Sequence, residues 1–171
     1  MRSELEGCTM TANAAALGSY VERTLIMLET NIDDMNPELF PPVMNALLRA
    51  GALDAWLTPI VMKQGRPAQM LSALCDPEDA PRLVSLLFRE TSTLGVRQIP
   101  LKRLELMREI VPVETRYGMI GMKVGRDTSG EIVNSAPEFR DCERAAVEQN
   151  VPLKTVYSAA LSMMPRPNSR E

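Results

Sequence analysis

Glu29, Asn31, Asp33 and Asp34 crowd the end of an apolar run in TLIMLETNIDDMNP, residues 24–37. Carboxylates held at a strand end supply the oxygen ligands that a hard divalent cation or a cation-bridged phosphate requires. The same acids would also favour the N-terminus of a following helix, which is a purely local role. Two later stretches carry complementary chemistry. Lys63-Gln64-Gly65-Arg66-Pro67 sets two cations on a turn, and ETSTLGVR, residues 90–97, offers the hydroxyls of Thr91 and Thr93, backbone N–H groups around Gly95, and Arg97. A further cation, Lys123, stands in GMKVG. Acids for a divalent metal and cations for phosphate oxygens make a coherent nucleoside triphosphate site if the chain brings them together. Singly, each has a plainer reading: turn lysines are usually solvated, Thr hydroxyls cap helix ends, and a surface ion pair is worth ~0–1 kcal/mol.

The elements that must position these groups follow from periodicity and punctuation. Leu25 to Leu28 are apolar without a break, as expected of a strand buried on both faces. Asn36-Pro37 is a helix start, complicated by Pro41 and Pro42. Val43, Met44, Leu47 and Leu48 then form one stripe that ends at Gly51. Leu53 to Met62 reads as a second strand, at an edge because of Pro59, and Gln69 to Leu74 as a third. Asp76-Pro77-Glu78-Asp79 opens a second helix with the stripe Ala80, Leu83, Val84 and Leu87, and a fourth strand begins near Arg97.

Strand, helix, strand, strand, helix, strand is the ferredoxin-like split βαβ order, an α+β sandwich with expected sheet order 4-1-3-2. That topology brings residues 29–34, 63–66 and 91–97 to one sheet edge. Beyond it, Glu109 to Thr115 and Met119 to Val124 form an expected added β-hairpin. Asn134 to Glu138 (NSAPE) reads as a Pro-terminated loop, and Phe139 to Gln149 and Leu153 to Met163 as C-terminal helices. Residues 1–21 are linker-like, 22–164 form the ferredoxin-like domain with its extension, and 165–171 are a frayed tail. The open face of such a sheet must be covered, and a homo-oligomer is expected.

Composition removes several classes. Hydrophobic residues make up 45% of the 171, enough for a packed core. Aromatics are scarce at 4% and the net charge is -3, so neither stacking platforms nor a polyanion footprint for nucleic acid is present. Cys8, Cys75 and Cys142 are widely spaced, which argues against a disulfide framework or structural zinc and for a reducing, cytoplasmic setting. No membrane span is expected. Histidine is absent, so carboxylates, Lys, Tyr and substrate groups must carry any chemistry.

ETNIDDMNPE, MKQGRP, FRETSTLGVR, VETRYGMIGMKV and NSAPEFRDCERAAVEQNVPLKTVY, in this order and spacing over residues 22–163, resemble the C-terminal domain of the nickel-insertion protein family LarC. The resemblance implies a CTP-dependent cyclometallase, of the lyase class, that completes the nickel-pincer cofactor of lactate racemase. In that reaction nickel enters a pyridinium-3,5-bisthiocarboxylic acid mononucleotide while CTP becomes CMP and diphosphate. It also implies a ferredoxin-like, oligomeric domain that binds CTP with manganese or magnesium and works beside an upstream domain. Asp33 and Asp34, supported by Glu29 and Asn31, are then the expected metal ligands. Lys63, Arg66, Arg97 and Lys123 would face the triphosphate with Thr91 and Thr93 as donors, and Asn134 and Glu138 would contact nucleotide or substrate. No catalytic residue is assigned. The alternative is a non-catalytic ferredoxin-like module that binds a small anion or nucleotide for regulation or assembly.

Overall fold

The structure, a computed structural model, describes residues 19–163. The readings of residues 1–18 and 165–171 lie outside it, whereas Val21, expected in the linker, already opens the first strand. The described residues form two compact units, one of residues 23–103 and one of residues 104–163 with 19–22.

In the first unit, β1 (Val21–Ile32), β2 (Asp54–Met62), β3 (Arg66–Cys75) and β4 (Arg97–Glu105) form a sheet in the order β2-β3-β1-β4. This is the expected ferredoxin-like order, and it leaves β2, with Pro59, at an edge where a missing N–H is tolerated. Helices α1 (Phe40–Arg49) and α2 (Ala80–Glu90) supply Val43, Leu47, Leu83 and Leu87 to a core completed by Leu28, Ile32 and Leu71 of the sheet. Asn36 caps a single 3-10 turn, Pro37–Leu39, by accepting from the Glu38 N–H at 3.1 Å. The regular helix begins only beside Pro41, where a proline needs no donor partner. α1 ends ahead of Gly51, whose φ of +101° places it in the region that L side chains rarely adopt.

Burial on both faces holds for Leu25 and Leu28, but beyond them β1 alternates. Thr30 and Ile32 are buried while Glu29 and Asn31 keep partial exposure, so the strand itself presents polar groups before its end. The polar cluster is therefore distributed differently from expectation: Glu29 and Asn31 lie within β1, and only Asp33 and Asp34 follow it.

In the second unit, the hairpin of β5 (Met107–Thr115) and β6 (Gly118–Arg126) gains a third strand, β7 (Ile132–Pro137), giving the order β5-β6-β7. The reading of residues 134–137 as a loop is thus corrected. This short polar segment has little strand propensity of its own and is recruited by pairing along β6, with Asn134 opposite Gly125. Helices α3 (Phe139–Glu148) and α4 (Leu153–Ser162) bring Cys142, Ala146, Val156 and Ala160 to a second core with Ile120, Met122 and Val124. The backbone of Gly121 ties sheet to helix: its N–H donates to Asp141 Oδ2 at 2.9 Å, and its carbonyl accepts from the Glu138 N–H at 2.7 Å. Among the described residues, no helix is long and apolar enough to cross a membrane.

Burial pushes the thiols of Cys75 and Cys142 above their ordinary pKa, helped by Asp79 and Asp76 near the first and by Asp141 and Glu138 near the second. A raised value means less thiolate at any given pH, and thiolate is the nucleophile. Alkylation of Cys75 and Cys142 by iodoacetamide at pH 8 should therefore be slow in the native protein and fast in urea, as peptide mass mapping would show. Leu83→Ala, which opens a cavity in the first core, should cost ~2–5 kcal/mol by urea denaturation. A loss below about 1 kcal/mol would contradict the burial of that side chain.

Candidate functional site

The three expected segments meet at one edge of the first sheet. Arg66 Nη1 lies 3.1 Å from Asp33 Oδ2, joining the β2–β3 turn to the end of β1. Ser92 donates its hydroxyl to Asp34 Oδ1, joining the α2–β4 connection to the residue that follows Asp33. One residue pair further along, Arg97 Nη2 donates to Asn31 Oδ1 at 2.8 Å, and Arg97 Nε lies 3.4 Å from Glu29 Oε2.

Local backbone chemistry explains why the edge takes this form. Residues Lys63–Gly65 span the turn with Gln64 at φ +64° and Gly65 at φ +71°. Two consecutive left-handed residues reverse the chain tightly and deliver Arg66 opposite Met62, the last pair of the ladder. The α2–β4 connection is braced from within. Thr91 Oγ1 donates to the Leu87 carbonyl at 2.7 Å and accepts from the Thr93 N–H at 3.2 Å. Buried Thr30 bonds the Gly95 carbonyl at 2.9 Å and the Thr93 hydroxyl, which fastens the connection to the middle of the sheet.

Not all candidates come together. Lys63 is exposed and forms no ion pair among the described residues. Thr91 and Thr93 use their hydroxyls inside the connection. Lys123, Asn134 and Glu138 belong to the second unit, where Lys123 Nζ pairs with Glu138 Oε2 at 2.9 Å and Asn134 is exposed on β7. Among the described residues, no group of three or more His, Cys, Asp and Glu side chains could hold a metal ion.

Sequence reasoning missed three features here. Ser92 lies inside a quoted stretch, but nothing in its spacing distinguishes it from Thr91 and Thr93. Ser72 is buried directly across from Glu29, and among the described residues its hydroxyl has no partner. A cavity of about 260 Å³ opens beside Asp33, walled by Ile32, Phe40, Pro59, Pro67 and Gln69. Its residues come from four separate segments, so no local pattern could announce it.

A ferredoxin-like α+β unit that gathers paired acids and arginines at one loop edge, joined to a three-stranded sheet under two helices, defines the class of this protein. The chain belongs to the nickel insertion protein family, which matches residues 9–157. A pyridinium-3,5-bisthiocarboxylic acid mononucleotide nickel insertion protein of Thermotoga petrophila is 44% identical over 134 residues, covering 78% of this chain and 34% of that protein. A protein of the same name in Nocardioides sp. is 46% identical over 137 residues, covering 80% and 35%. The chain thus spans about a third of the length of these curated relatives. Among solved structures, LarC2, the C-terminal domain of a cyclometallase involved in the synthesis of the NPN cofactor of lactate racemase, matches with a TM-score of 0.77 and 39% identity. That match covers 83% of this chain and 97% of the other. Protein MK0293 of Methanopyrus kandleri shares the fold at a TM-score of 0.62 and 22% identity, covering 84% and 93%.

Thr30→Val keeps the shape of the side chain and removes the hydroxyl that the connection hangs from. Its expected cost is about 0.5–1.5 kcal/mol, that of one neutral hydrogen bond, because the Gly95 carbonyl keeps the Thr93 hydroxyl at 3.0 Å. Amide exchange at Thr93 and Gly95 should accelerate while exchange at Leu71 follows only global stability. Unchanged exchange at both positions would contradict the bracing role.

Proposed function

We propose that this chain binds a divalent metal–CTP complex at the Asp33–Arg66 edge and is the nucleotide-handling part of a nickel-inserting cyclometallase. The reaction we infer places nickel in pyridinium-3,5-bisthiocarboxylic acid mononucleotide, with CTP converted to CMP and diphosphate, and yields the nickel-pincer cofactor of lactate racemase. The relatives' names and the LarC2 match support the substrate and pathway. The meeting of Asp33 with Arg66, and of Asp34 with Ser92, is the observation that carries the nucleotide site.

Asp33 and Asp34 would hold manganese or magnesium, which neutralises and orients the phosphates when bound, while Glu29 and Asn31 position Arg97. Arg66 and Arg97, with Lys63, are the cations for phosphate oxygens. Both arginines now rest on acids in exposed pairs, with Arg66 57% and Arg97 48% exposed. Such pairs are worth only ~0–1 kcal/mol, so exchanging a carboxylate for a phosphate oxygen costs little. The cavity beside Asp33 is adjacent to this exchange and has room for a pyrimidine nucleoside. Lys123, Asn134 and Glu138 are the second unit's candidates for nucleotide or substrate contact. Nickel, as cargo, is held mainly by the substrate's sulfur atoms and ring carbon, because the chain has no histidine. An upstream domain, self-association and a cytoplasmic setting complete the reading.

Calorimetric titration of CTP with manganese into the purified chain should show binding, and ATP should bind less well. Arg66→Glu should weaken metal–CTP by about 10–100-fold, as expected for one lost charge-assisted contact, with a stability change under about 1 kcal/mol. Absent binding, or equal affinity for ATP, would defeat the proposal. Incubation with CTP, nickel and the mononucleotide, with and without the upstream domain of a relative, tests the chemistry. If neither mixture forms nickelated product, the non-catalytic anion-binding module is the better reading.

A further inference from the structure

The second unit contains a cavity of its own, about 670 Å³ in volume, walled by the β5–β6 turn and one face of α4. Small-molecule sites usually occupy roughly 300–1,000 Å³. Thr115 and Arg116 come from the turn, and Lys154, Thr155, Ser158 and Ser162 from the helix, where their spacing sets them along one side. No acid lines it.

The two cations are set up differently from their neighbours. Lys123, Arg126 and Arg144 of the same unit hold carboxylates at 2.9, 2.7 and 2.9 Å. Arg116 and Lys154 form no ion pair among the described residues, although both face this cavity. Arg116 is not loose either. Its guanidinium carbon sits 4.8 Å from the centroid of the Tyr117 ring, a cation–π contact that limits its orientations. The turn beneath it is fixed by buried Thr115, whose hydroxyl donates to the Gly118 carbonyl at 2.8 Å and accepts from the Tyr117 N–H at 3.1 Å. Among the described residues, the hydroxyls of Thr155 and Ser158 have no protein partner.

An oriented guanidinium fork, an ammonium group and two free hydroxyls, with no offsetting acid, match an anion with several acceptor oxygens. A phosphomonoester presents three such oxygens and close to two negative charges near pH 7. A carboxylate would occupy the arginine fork and leave the helix donors idle. We propose that this cavity binds the phosphate of a mononucleotide and that its remaining volume houses the nucleoside. Arg116 and Lys154 fall in VETRYGMIGMKV and NVPLKTVY, stretches that carry the family likeness, and neither residue has a role in the reading above. Taken with the reading above, on which this identification rests, the ligand is the pyridinium mononucleotide substrate itself.

Pyridinium-3-carboxylic acid mononucleotide is the probe, titrated into the full chain by two-dimensional NMR without CTP or metal, with its dephosphorylated riboside in parallel. The mononucleotide should shift the amide resonances of Arg116, Lys154, Thr155 and Ser158, and the riboside should not. Lys154→Glu with Arg116→Glu should weaken binding at least about tenfold, and the milder pair Lys154→Met with Arg116→Gln should do so by several-fold with an undisturbed spectrum elsewhere. Equal shifts by the riboside would overturn the proposal, as would no shift at millimolar probe or unaltered affinity in both double variants. Parallel loss of metal–CTP affinity in those variants would also overturn it, because the cavity would then be serving the triphosphate. Failure of CTP to bind the native chain leaves this titration unaffected, so the two readings fail separately.

Discussion

The antiparallel register of β1 against β3, with Thr30 opposite Leu71 and Ile32 opposite Gln69, decides what the charged edge can be. Side chains alternate between faces with a period of two, so one pairing both buries Leu28, Thr30 and Ile32 and turns Glu29 and Asn31 toward Arg97. A slip by one residue would exchange the faces and drive a carboxylate and an amide into an aliphatic core, at a cost of several kcal/mol. The core thus enforces the geometry of the edge. Thr30 extends that control outward, since its buried hydroxyl is the bond by which the sheet grips the α2–β4 connection.

The charges at this edge are balanced within the chain itself. Three acids, Glu29, Asp33 and Asp34, stand against Lys63, Arg66 and Arg97, and the arginines are already matched to Asp33 and Glu29. Preformed pairs of this kind restrict the rotamers of long side chains. They also make an unliganded edge less attractive to stray anions than bare cations would be.

Much of the first unit was legible because its signals are local and redundant. Pro59 marked an edge strand, Gly51 a helix end, and the strand–helix order admits one common sheet order, which then forces residues 29–34, 63–66 and 91–97 together. What escaped notice depends on distant partners. Residues 132–137 carry no alternation, and their strand is seen only in the pairing along β6. Ser92 matters through Asp34, nearly sixty positions away, and Arg116 and Lys154 are unremarkable until the fold seats a hairpin turn against a helix. Lys123, expected to face the triphosphate, and Glu138, expected to contact nucleotide or substrate, pair with each other at 2.9 Å in the unit that holds them.

The sulfur chemistry has a consequence for traffic in metal. Thiolates are strong soft ligands for nickel, and a protein whose family inserts that metal carries a hazard in every ionisable cysteine it displays. Cys75 and Cys142 are buried, and burial raises their thiols above the ordinary pKa, so less of the metal-binding thiolate forms at any given pH. The folded chain thereby withholds these two sulfurs from soft metal ions in its surroundings.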